Sequence, residues 1–314
     1  MTFVTAQQLV DFDLSDAERK MLFERAQKLV TIQWFGTRVG ACFDDSFEAE
    51  AFRARYRSFE TSGVPDMWSC AVRGDNGEPI FWTEPGGACR WPGVLRKPGL
   101  IAFLADAVTR RAFFDINASI ISFHSAAVQI GNAAVAIAAN STGGKSTTAV
   151  ACARRGMGLY SDEHCVVIDG FVHAFPRALN IRKGGLERLA AEDVPHDEGI
   201  GRRLRRHRGF DWDFVTFPNL LGGRPLPQPR RLEAIFFIDG CARAARATPL
   251  GPDDAITRLL TAGLRGPRAG IDRVAAAAAI VQRARVYGLT LARPDETARL
   301  IQATVHDADS LAAV

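Results

Sequence analysis

Between residues 1 and 30, Leu14, Met21, Leu22, Ala26 and Leu29 recur among Asp16, Glu18, Lys20, Glu24 and Arg25 at roughly helical spacing, which predicts a helix there. The run 31–43 reads as strands around a turn near Gly36. Ser46–Phe59 returns to the helical period with Phe47, Ala51, Phe52 and Tyr56. Residues 60–98 are rich in Gly, Pro and Trp. The turn residues Asp75-Asn76-Gly77 stand between two apolar runs there, which is a hairpin signal. Pro98-Gly99 punctuates the start of a helix over 100–115.

From 118 the texture changes to β-branched and apolar. SIISFHSAAVQIGNAAVAIAA predicts two strands joined at Gly131-Asn132, followed by a glycine loop and a helix through Arg155. GLYSDEHCVVIDGFVHAF predicts two further strands with a hairpin at Asp169-Gly170. Residues 184–232 are the least regular. They are followed by a buried strand at 233–239, helices near 252–264 and 270–284, a strand at 286–292 and a closing helix from Pro294. This order predicts an α/β region at 111–314 behind a smaller α+β domain at 1–110.

Composition narrows the classes. The chain has 314 residues, 47% hydrophobic and 24% charged, which is globular usage and excludes a disordered or fibrous protein. No apolar run approaches the ~18 residues of a membrane helix. The N-terminal segment carries acids where a signal peptide has basic residues. The expectation is a soluble, cytoplasmic protein with no membrane partner. The six cysteines form no CxxC pair, which predicts reduced thiols rather than disulfides or zinc. A net charge of +4 does not by itself imply nucleic acid. Arginine supplies most of the positive charge. Lysine occurs only at positions 20, 28, 97, 145 and 183, which singles out Lys145.

The chemistry centres on 138–156. The phosphate-loop pattern GxxxxGK[ST] is met by Gly144, Lys145 and Ser146, with Ala139 in place of the first glycine. Asn140, Ser141, Thr142 and Gly143 fill the interval, and Thr147 follows. Backbone N–H groups over 141–144 and the start of a helix make a nest for phosphate. Lys145 is placed to reach the β- and γ-phosphates, and the Ser146 hydroxyl to ligate Mg²⁺. These residues predict ATP and Mg²⁺ as cofactors. Downstream, Asp162 and Glu163 are adjacent. On a regular strand only one of them could face a site. An acid beside a triphosphate can take a proton from an alcohol or hold Mg²⁺.

FHSAAV, the phosphate loop, LYSDE and FPRALNIRKGG together resemble the catalytic domain of the HPr kinase/phosphorylase family, over about 118–185. More closely, they resemble the HPr-kinase-related proteins. The resemblance implies a P-loop fold akin to phosphoenolpyruvate carboxykinase, and transfer of phosphate from ATP to a serine hydroxyl of a peptide or small protein. Relatives in lasso-peptide clusters phosphorylate a precursor peptide, which is the preferred acceptor. By the same resemblance, His124 lies near the transferred phosphate and Asp162 is the base. Glu163 is the second acid, with Asp162 and Ser146 at the metal, and Arg182 is the arginine of the following segment. His124 also reads as a core residue of an apolar strand. Asn180, Lys183 and Thr147 depart from the bifunctional members, which speaks against a reverse reaction and HPr recognition. The family forms hexamers, so a homo-oligomer stays open. Residues 1–110 carry no family motif and are given a peptide-recognition role by their place alone.

Other features are weaker. VVID and AIFFID each end an apolar run in an acid, but Asp169 reads as a turn residue and Asp239 as a strand end. The basic run 202–208 lacks interleaved aromatics, so nucleic acid is disfavoured, a solvated loop is preferred, and contact with an acidic peptide or phosphate stays open. Arg224, in a Gly- and Pro-rich loop, is a candidate phosphate contact. Two alternatives to a peptide kinase stay open: a small-molecule alcohol kinase and an ATP-binding module without catalysis.

Overall fold

A computed structural model describes residues 8–95, 99–117, 119–139, 143–189, 212–216, 226–266 and 271–312. The chain is mixed α/β and divides into two compact units, the first running to Ile116 and the second starting at Asn117.

The first unit contains β1 (Val10–Phe12), α1 (Asp16–Arg25), β2 (Lys28–Trp34), β3 (Thr37–Phe43), α2 (Ser46–Tyr56), β4 (Met67–Arg73), β5 (Pro79–Glu84), β6 (Ala88–Arg90) and α3 (Leu100–Ile116). The strands form one sheet in the order β1-β6-β5-β4-β3-β2. All neighbours are antiparallel except β3 and β4, which are joined by the α2 crossover. The helix expected over 1–30 is shorter. It starts at Asp16 because the Ser15 hydroxyl accepts from Glu18 N–H while the Glu18 carboxylate bonds back to Ser15, a capping box. Chain on either side of α1 is spent on strands β1 and β2.

Two buried polar devices fix the first unit's helices. Glu48, in the first turn of α2, accepts from the backbone N–H of Gly99 (2.7 Å) and Ala102 (2.8 Å), and so caps α3. Burial pushes its carboxyl above the ordinary range, against the pull of those two bonds. A folded-state value raised above the unfolded one means that the carboxyl's contribution to stability is full below its unfolded value and is lost as pH rises through the raised value. Melting curves should therefore show the thermal midpoint declining across that interval, and Glu48→Gln should flatten the decline. Asp106, fully buried in α3, accepts from Arg110 at 3.0 Å through each carboxylate oxygen and also from the Tyr56 hydroxyl, with Arg55 at 4.0 Å. Asp106→Ala strips the acid from two buried guanidinium groups. It is expected to cost about 3–5 kcal/mol in denaturant unfolding of this unit, while Asp106→Glu should cost less.

The second unit contains β7 (Ile120–Phe123), β8 (Ser125–Ile130), β9 (Ala133–Ala138), α4 (Lys145–Arg154), β10 (Gly158–Ser161), β11 (Cys165–Ile168), β12 (Phe171–His173), β13 (Leu179–Arg182), α5 (Lys183–Leu189), β14 (Trp212–Thr216), β15 (Arg230–Cys241), β16 (Arg246–Pro249), α6 (Pro252–Thr261), α7 (Ile271–Val281), β17 (Arg285–Leu291) and α8 (Pro294–Ala312). The large sheet runs β10-β8-β9-β15-β12-β11-β7, and β17 pairs with both β15 and β16. The central strands β9, β15 and β17 are parallel. β15 is longer than the expected strand: its start pairs with β12 before the rest joins β9 and β17. β13 and β14 form a separate pair.

β9 explains the layering. Its odd positions, Ala133, Val135 and Ile137, pack with α4 and α8, and its even positions, Ala134, Ala136 and Ala138, pack with α6 and α7. A strand apolar on both faces belongs in the middle of such a sheet. Small side chains on the even face let the helices approach closely. Asp169 (φ 53°) and Gly170 (φ 82°) make the expected hairpin between β11 and β12. All six cysteines are free, and Cys42, Cys70, Cys152 and Cys165 are buried. Among the described residues, no helix is long and apolar enough to cross a membrane.

Candidate functional site

Strand β9 ends at Ala138, Ala139 follows, and Gly143 and Gly144 lead into α4. Asn140, Ser141 and Thr142 lie outside the described residues. Gly144 is the N-cap of α4 with φ 96°, a left-handed conformation that favours glycine. A Cβ there would stand 2.8 Å from Leu291 Cδ1, so glycine also sets how closely the loop approaches the end of β17. With glycine at the cap, the cap residue itself offers no side chain to the amides of the first turn. Lys145 is largely buried, and its Nζ donates to the carbonyl of Ala139 at 2.8 Å, which ties the far end of the loop to its start. Ala139 thus serves through its carbonyl, which any residue supplies.

The acids come from a matched break in the sheet. β10 runs beside β8, with Leu159 opposite Val128 and Ser161 opposite Ala127. β11 runs beside β7, with Cys165 opposite Phe123. Between these ladders both chains leave the pairing together, at 124–126 on one side and 162–164 on the other. Asp162 and Glu163 are therefore not on a regular strand, and the expectation that their side chains must diverge does not apply. Ser161 shapes the break, because its hydroxyl accepts from the backbone N–H of Glu163 (3.3 Å) and His164 (3.2 Å).

The side chains then assemble from both sides. The Ser146 hydroxyl donates to Asp162 Oδ2 at 3.2 Å, and Asp162 is buried. This joins the first turn of α4 to the acid. Glu163 forms an ion pair with Arg177, a buried guanidinium. His124 Nδ1 lies 3.0 Å from the carbonyl of Glu163. A carbonyl only accepts, so that nitrogen carries the proton. The His124 backbone N–H donates to Ala262 just beyond α6 (2.8 Å), and its ring lies 6.2 Å from that of His164. His124 is thus half-buried at the break rather than within a strand, unlike the core reading of it. Thr147 touches α5: a Cβ on Gly185 would stand 2.7 Å from Thr147 Oγ1. Arg182 closes β13 immediately before α5.

The structure therefore joins Ser146 to Asp162 and His124 to the backbone of Glu163, with Lys145 next to Ser146 in the first turn of α4. Sequence reasoning missed Ser161, His164 and Arg177. A serine two and three residues before the amides it caps is a readable turn signal. An arginine inside the apolar run AFPRAL signals a buried charge that needs a partner, without naming the partner. Asp239 pairs with Arg258 just beyond the point where Phe237 of β15 faces Ala138, the last residue of β9. The basic run 202–208 and Arg224 lie outside the described residues.

The donor set suits magnesium nucleotide. Mg²⁺ takes hard oxygen ligands, usually one or two carboxylates with substrate phosphates completing its shell. Ser146 Oγ and Asp162 Oδ2 are such a pair. Among the described residues there is no cluster of three or more His, Cys, Asp or Glu side chains able to hold a metal without phosphate.

No family model matches the chain, and no curated protein matches it. Among solved structures, it is similar to the Hpr(Ser) kinase/phosphatase from Coxiella burnetii, with a TM-score of 0.29 and 12% identity over 62% of this chain and 99% of that chain. At that level the likeness carries no argument about activity.

Proposed function

We propose that the second unit is an ATP- and Mg²⁺-dependent phosphotransferase of the P-loop kinase type, acting on a serine hydroxyl of a peptide or small protein. The observation that carries this reading is the 3.2 Å bond between Ser146 and Asp162, which sets a buried acid against the first turn of the helix that Gly144 and Lys145 begin. Lys145, Ser146 and the first-turn amides of α4 would hold the nucleotide phosphates, and Ser146 with Asp162 would hold Mg²⁺. The bound nucleotide supplies the γ-phosphoryl group, and transfer of such a group depends mainly on positioning and charge neutralisation.

Asp162 would accept the proton of the acceptor hydroxyl as its oxygen becomes the nucleophile. Lys145 supplies positive charge where the phosphoryl oxygens gather negative charge. Arg177 and His124 act through Glu163, one on its carboxylate and one on its carbonyl, and so hold the break in which Asp162 sits. A lasso-type precursor peptide is the acceptor that the family resemblance implies. The test is label transfer from γ-labelled ATP with Mg²⁺ to serine-bearing precursor peptides, with serine-to-alanine versions beside them. Label on the serine peptide alone supports the reading. Label only in small molecules would replace the acceptor by a small alcohol, and bound ATP without transfer would leave a nucleotide-binding module.

A further inference from the structure

We infer that the second unit carries a separate cavity for a small organic polyanion, such as a phosphate ester or a polycarboxylate. A cavity of about 870 Å³ is lined by four arginines, Arg154, Arg188, Arg243 and Arg293, and by a single acid, Asp295. They come from the end of α4, the end of α5, the turn between β15 and β16, and the residue before α8. Four separate segments thus deliver the same charge to one space.

The acid does not offset them. Asp295 accepts from Arg155 at 2.8 Å and pairs with Arg299 at 3.0 Å, neither of which lines the cavity. The bond from Arg155 holds its carboxyl below the ordinary range, so it stays ionised and committed to those partners. Arg154 spends one N–H on the carbonyl of Leu189. Among the described residues, Arg188, Arg243 and Arg293 have no carboxylate partner. Like charges gathered this way repel one another, and an oxyanion between them removes that repulsion.

Size and chemistry define the ligand class. Small-molecule pockets occupy ~300–1,000 Å³, so this space suits a molecule larger than a lone phosphate. The planar fork of a guanidinium binds two oxygens of a phosphate or carboxylate at a time. The remaining walls are partly apolar, with Leu189 and Pro294 among them, which suits a carbon skeleton between charged ends. The cavity is not the phosphate loop. Arg154 is the last residue of the helix that Lys145 opens, ~14 Å away along the axis at ~1.5 Å per residue. The inference does not rest on the phosphotransfer reading.

Calorimetric titration of the full chain with pyrophosphate and with citrate tests it. Lys145→Ala serves as the background, so that the phosphate loop does not contribute. Both probes should bind, and Arg188→Gln/Arg243→Gln/Arg293→Gln in that background should weaken them by about tenfold or more. Arg243→Gln alone should weaken them by about threefold, which keeps the test sound should the triple variant unfold. Binding unchanged by these variants, or no binding of either probe, overturns the inference. So does capture of a hexaglutamate peptide without capture of the small anions, which would make this a surface for acidic chains.

Discussion

Lys145→Ala should lower phosphoryl transfer by about 10³-fold or more, with a smaller loss of nucleotide affinity. The side chain has two jobs. Its charge lies at the start of α4, where the transferred group would sit, and its Nζ also pins the carbonyl of Ala139 across the loop. Alanine removes both. Lys145→Arg separates them, because it keeps the charge but not the compact ammonium that fits a single carbonyl. Transfer from γ-labelled ATP, read beside nucleotide binding by fluorescence titration, checks the result. If the alanine variant transferred phosphate within a few fold of wild type, the phosphate loop would not be the catalytic centre.

Asp162→Asn should cost about 10²–10⁴-fold in transfer and leave nucleotide binding measurable. Asparagine keeps the size and can still face Ser146, so the variant should fold. What it loses is the capacity to take a proton and the negative charge that draws Mg²⁺. Initial rates at saturating Mg²⁺ are the measurement, and transfer by Asp162→Asn within a few fold of wild type would remove Asp162 from the role of base.

Much of the architecture could be read from local pattern. The turn residues at 75–77, 131–132 and 169–170 mark hairpins, and the apolar run before Gly144 marks the strand that feeds α4. Local pattern failed where a distant partner decides. The helix expected over 1–30 lost both ends, because residues flanking α1 pair with β6 and β3. The extension of β15 beyond 233–239 comes from the strands beside it rather than from its own residues. At the site, Gly144, Lys145 and Ser146 announce themselves by spacing. The meeting of Ser146 with Asp162 does not, because it depends on two ladders ending at the same level. Arg177 was invisible as a partner of Glu163, since nothing in AFPRAL names the acid it faces.

That shared break at 124–126 and 162–164 also constrains how this chain can change over evolutionary time. A substitution in the break leaves the ladders on either side paired, whereas a change of chain length does not. A single inserted or deleted residue on one side would carry β11 or β8 one step along its neighbour, and a one-step slip turns every later side chain to the opposite face. Lineages descended from this chain should therefore conserve the spacing from Ser161 to Cys165 along with Asp162, and the lengths of loops farther from the break should drift first.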